Sequence, residues 1–249
     1  MIDFSTPESP RRLILRAAGR FIFKELDRNL LIRSLRIRAV MGLLDKDPCW
    51  SRRMAGAVIM VAAFIVLMGI ITGEALYPGY HTGEMDISDL AWKEPSATIF
   101  NVTMIVGGVL YSLTAILLRH AGLPRSVTIP AFLMGVGGAG VGIFPLYTGA
   151  PHVIFAMLTF GSGAITALMS GRTADPPFKY ISLFLGTISL VSLVLFSIMW
   201  REGPFGPLGE GGMERWVAYA NMVWAIGFGG YLMNSGMDSS QSPMSCRRP

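Results

Sequence analysis

From Met54 to Gly73 the chain runs without an Asp, Glu, Lys or Arg. An α-helix rises 1.5 Å per residue, so about 20 such residues cross the roughly 30 Å hydrocarbon core of a bilayer. Five further uncharged runs follow, at about 98–118, 127–147, 151–171, 180–200 and 216–236. A charge at the centre of a span costs several kcal/mol, so runs this clean belong in lipid. Charged residues make up 15% of the chain, against about 25% in soluble domains. The pattern predicts an all-α polytopic transmembrane bundle of six spans over residues 54–236. The third and fourth runs are joined by the uncharged turn GIFPLYTGAPH, where Pro145, Gly149 and Pro151 interrupt the helix.

The charges outside these runs set an orientation. Residues 1–53 hold 12 Lys or Arg against 6 Asp or Glu. There Leu13, Ala17, Phe21, Leu30 and Leu31 recur near helical spacing, with Arg16, Arg20, Lys24 and Arg28 between them. This reads as a basic amphipathic leader on the membrane surface, attracted to anionic inner-leaflet lipid. The same explanation accounts for the net charge of +5 without nucleic-acid binding. Arg119, Arg125, Arg172, Lys179, Arg247 and Arg248 fall on the leader's side of the bundle, and Lys93, Arg201 and Arg215 on the other. The positive-inside rule then places both termini in the cytoplasm of a plasma-membrane protein. Residues 237–249 read as a flexible cytoplasmic tail.

Several chemistries find no support. Cys49 and Cys246 both lie in segments expected to be cytoplasmic, where thiols stay reduced, and they have no zinc spacing. Gly135–Gly140 formally matches GxGxxG but lies inside a span and follows no strand. No GxSxG, SxxK or HExxH motif occurs, and no span centre carries an Asp, Glu, Lys, Arg or His. The sequence thus gives no catalytic assignment, no cofactor and no metal site.

Three polar segments converge on the outer face in this topology. The first runs from Tyr77-Pro-Gly-Tyr80 through His81, Asp86 and Asp89, and on to Asn101 in the second span. The second runs from Gly142-Ile-Phe-Pro145 to His152; the third is Gly209 to Trp216 with Glu210, Glu214 and Arg215. The motifs YPGY, ISDLA, IFN, GIFP with its following His, and GGMERW, in this order over about 54–236, resemble those of domain-of-unknown-function family 998. The resemblance implies a six-span archaeal or bacterial membrane protein and no particular activity.

Tyr77, Tyr80, His81, Asp86, Asp89, Asn101, His152, Glu210, Glu214 and Arg215 therefore form the candidate ligand site. Asp86 and Asp89 share one face of a helical turn, with Asp89 expected to cap the turn or pair with Arg215. Asn101 needs a partner on a neighbouring helix. His152, at a helix start, is expected to be hydrogen-bonded and neutral. The foremost reading is a non-enzymatic protein that binds a lipid, small ligand or partner protein through this cluster. The alternatives are an outer-leaflet lipid- or glycolipid-modifying enzyme using Asp86, Asp89 and His152, and a channel or transporter for an uncharged substrate.

Overall fold

The computed structural model describes residues 47–202 and 206–234, without the side chains of 201 and 202. The leader up to residue 46 and the tail from 235 lie outside the described residues. Those described are helical, with no strand among them: α1 (Pro48–Leu76), α2 (Ser96–His120), α3 (Arg125–Ile143), α4 (Ala150–Thr173), α5 (Phe178–Glu202) and α6 (Gly209–Asn234). Each element forms where the hydropathy pattern places it, and the ends follow local chemistry. Asp47 precedes Pro48 at the first helical position and accepts from the Cys49 amide at 3.2 Å. The first helix therefore begins inside the segment assigned to the leader. The third helix stops at Ile143, short of the expected 147, because Phe144, ahead of Pro145, leaves the helical conformation. The expectation that Cys49 and Cys246 stay reduced falls in part on Cys246, which lies outside the described residues.

Consecutive helices pack antiparallel, and α6 packs back on α1, closing a six-membered ring. Small residues allow close approach. A side chain on Gly108 of α2 would strike the backbone of Gly135 and Ala139 on α3, so those two helices touch backbone to backbone. Polar groups also link helices within the apolar interior. Trp224 on α6 donates to the Ser182 hydroxyl of α5 at 2.9 Å, and Ser182 donates to the Ala167 carbonyl of α4 at 2.7 Å. Trp224 and Ser182 are fully buried, so each hydrogen bond replaces one that lipid could not supply.

Among the described residues five helices are long and apolar enough to cross a membrane: α1 to α5. The sixth run falls short of that standard because α6, even past its charged start, carries Asn221 together with Trp, Tyr and Gly residues of low hydropathy. Outside the ring, large apolar side chains are exposed, among them Phe64, Ile154 and Phe184. That surface would be a liability in water and suits lipid.

The two ends of the ring differ in charge. At one lie Arg52, Arg53, Arg119, Arg125, Arg172 and Lys179. Contacts there tie the start of α1 to the end of α6 and to the α4–α5 turn. Arg52 lies 5.8 Å from the Tyr231 ring centre, and the Asp175 amide donates to the Tyr231 hydroxyl at 3.1 Å. At the other end, residues 77–95 fold back over the helices as a cap. Ile87, Leu90 and Ala91 of its short 3₁₀ turn are buried beneath it.

Candidate functional site

The acidic end is organised by Arg215. Its Nη2 donates to Glu74 Oε1 at 2.6 Å and to the Tyr80 hydroxyl at 2.7 Å. Its Nη1 donates to the carbonyls of Thr82 and Gly211, both at 2.8 Å, and of Met85 at 3.2 Å. Tyr80 passes the chain onward, donating to the Asp86 carbonyl at 2.6 Å, while the guanidinium stacks over its ring. One cation thus joins α1, the cap and α6. Of the two roles expected for Asp89, capping its turn or pairing with Arg215, the pair does not form: Arg215 pairs with Glu74, which reaches it from the last turn of α1. Asp89 instead accepts the Asp86 amide at 2.9 Å, holding the 3₁₀ turn.

Local sequence explains this geometry. A side chain on Gly211 would strike the Met85 and Thr82 carbonyls, so glycine there lets the cap lie directly on α6, and the Gly211 amide donates to the Gly83 carbonyl at 3.2 Å. Gly79 turns the YPGY segment through a positive φ of 78°. Tyr77 is buried edge-on to Tyr80, with the Lys93 ammonium 4.8 Å from its ring centre.

Acidic groups crowd the cap. Burial first, and then the nearby Glu214, Glu210 and Asp89, push the Asp86 carboxyl up to about 8 against the opposing Arg215. Its Oδ1 is buried without a partner. Burial also raises Asp89, although the Asp86 amide offsets this. Glu210 is raised first by burial and then by Asp89. Among the described residues no three His, Cys, Asp or Glu side chains gather in a way that could hold a metal ion.

Beneath the cap the ring encloses a cavity of about 70 Å³. Its walls are apolar, from Val66, Phe100, Met134 and Ala218, and polar groups enter at two levels. Just under the cap are Ser88, His152 and Glu214; deeper are Tyr111, Thr159 and Asn221. His152 is 3% exposed, and its Nδ1 lies 2.8 Å from the Phe144 carbonyl oxygen. A carbonyl only accepts, so Nδ1 carries the proton and, in the neutral ring, Nε2 is an acceptor. Glu214 is 6% exposed and accepts the Ile87 amide through Oε2. Asn221 Oδ1 is buried without a partner, its amide nitrogen reaching the Phe160 carbonyl at 3.5 Å. The cavity's acceptors are therefore His152 Nε2, Asn221 Oδ1 and the Glu214 carboxyl, beside the Ser88 and Tyr111 hydroxyls, which can donate or accept.

The ten sequence candidates separate into groups. Tyr77, Tyr80, Asp86, Asp89 and Arg215 build the cap network, with Glu210 beside it. His152 and Glu214 reach the cavity; Asp86 and Asp89 are not among its lining residues. His81 is exposed in the cap. Asn101 does not make the expected interhelical bond: its Oδ1 is buried without a partner, and α2 meets Gly142 of α3 through the Asn101 carbonyl instead. Sequence reasoning passed over Glu74, Ser88 and Asn221. Glu74 is the first charge after the first run and Asn221 the amide in the middle of the last, so both left a signal.

No curated protein and no solved structure matches the chain. The profile of the family described as protein of unknown function DUF998 matches residues 60–231, and the chain belongs to that family.

Proposed function

We propose that this is a membrane-embedded binding protein that holds a small amphipathic molecule in the capped cavity. The carrying observation is the cavity itself: an apolar chamber whose polar atoms, at His152, Glu214 and Asn221, are set to receive hydrogen-bond donors. A ligand of a few heavy atoms, with a short apolar body and a hydroxyl or amine head, matches its volume of about 70 Å³. An anionic head does not, because Arg215, the cation beside Glu214, is committed to the cap and Glu74.

The same reading includes six crossings, with the acidic, capped end outside and the basic end in the cytoplasm of a plasma-membrane protein. The exposed large residues of α6, Trp216, Val223, Ile226 and Met233, are apolar and recur at helical spacing. They support α6 as a sixth span with a lipid-facing stripe despite its polar start.

Native mass spectrometry of protein gently extracted from its own membrane tests the binding reading. The expected result is a co-purifying small amphiphile that Ala218→Phe, which fills the chamber, removes without unfolding the protein. Wild-type protein free of any adduct, or an adduct unaffected by Ala218→Phe, would refute it.

A further inference from the structure

A second recess lies at the opposite end of the bundle, outside the ring between α2 and α3. It measures about 320 Å³. Arg119 and His120, the last residues of α2, and Arg125, the first of α3, form its mouth. Its floor holds Ala115, and its wall holds Ile129 and Phe132, which are 54% and 43% exposed. The four-residue link between the helices turns at Gly122, with φ +85°, and brings the two arginines to one rim. One Arg119 nitrogen donates to the Leu123 carbonyl at 3.3 Å, leaving other donors of its fork for a second acceptor. Arg125 makes no hydrogen bond or ion pair among the described residues.

We infer that this groove is a docking site for one anionic phospholipid, its phosphate between Arg119 and Arg125 and an acyl chain along Ile129 and Phe132. The inference rests on these helices lying in a bilayer and is independent of the inner cavity. Charge complementarity selects the occupant. Guanidinium groups match phosphate geometry, and the apolar wall continues from them along the helices toward the membrane interior, as a phospholipid does from head to tail. The chain's own leader is a poor alternative, since it carries 12 basic against 6 acidic residues and would be repelled. A zwitterionic lipid would set its own cation against the same rim.

The test uses the full chain, purified in mild detergent, stripped of lipid and titrated in native mass spectrometry. The lipids are dioleoyl phosphatidylglycerol and dioleoyl phosphatidylcholine, with inorganic phosphate as a third arm. Each basic residue near an anionic lipid contributes about fivefold in affinity. Phosphatidylglycerol should therefore bind at least tenfold better than phosphatidylcholine. Arg119→Gln with Arg125→Gln should weaken it by roughly 30-fold while leaving phosphatidylcholine unchanged. Ile129→Asp should weaken it through the wall. If the double variant fails to fold, Arg125→Gln alone should cost about fivefold, since its guanidinium holds nothing else. Equal binding of the two lipids, unchanged binding by the Arg125 variant, or full displacement by millimolar inorganic phosphate would each overturn the assignment.

Discussion

Replacing Arg215 by Ala should unfasten the cap. The guanidinium is 11% exposed and its partner Glu74 20%, so the pair is largely, though not wholly, withdrawn from solvent. Breaking a buried pair by removing one partner costs about 3–5 kcal/mol. The exposure of Glu74 and of Thr82 lets water recover part of the loss, which favours the lower end, about 3 kcal/mol. For a domain of this size each kcal/mol moves Tm by about 2–4 °C, so intrinsic tryptophan fluorescence in detergent should report a drop of about 6–12 °C. Arg215→Lys keeps a charge for Glu74 but loses the fork that holds three carbonyls, and should fall between wild type and Ala. Combining Arg215→Ala with Glu74→Gln should reveal a coupling of about 1 kcal/mol or more. A Tm change below about 3 °C for Arg215→Ala, or strictly additive effects of the two substitutions, would show that the cap is held by its apolar residues alone.

Asp86 makes stability depend on pH in the direction opposite to an ordinary salt-bridged aspartate. Its carboxyl titrates near 8 in the folded protein against 3.8 ordinarily, so the native state binds more protons between those values and stability falls as pH rises through that window. Tm should be higher at pH 5 than at pH 8.5, and Asp86→Asn should flatten the slope; identical slopes in both proteins would refute the assignment. Gly211→Val should force the cap off α6 at a cost of about 1–3 kcal/mol, seen as a lower Tm and faster proteolysis within residues 77–95. Trp224→Phe should cost about 1–2 kcal/mol through the lost bond to Ser182, read in the same thermal assay. Introduced cysteines fix the orientation: His81→Cys should react with an impermeant maleimide on intact cells and Ser126→Cys only after lysis, and the reverse order would invert the topology.

Local sequence settled much of this protein. Hydropathy runs placed six helices within a few residues, because burial in lipid demands unbroken apolar stretches regardless of their neighbours. Proline and glycine set the breaks, as at Phe144-Pro145, because they act on their own backbone. The uneven charge distribution gave the bundle an acidic and a basic end. The YPGY, ISDLA and GGMERW segments do converge, since short links between antiparallel helices leave them no other end to occupy.

Partner choice was not legible. Asp89 and Glu74 were both available to Arg215, and only the packing of α1 against α6 brought Glu74 within 2.6 Å, while Asp89 was kept by its own 3₁₀ turn. Nor could spacing show that His152 and Glu214 share a chamber with Asn221 while Asp86 and Asp89 do not. Closure of the ring by α6 against α1 decided that. A cavity is what remains after distant side chains have packed, so its volume and its lining belong to no segment of the chain. The helices were written in the sequence; the chamber between them was made by their assembly.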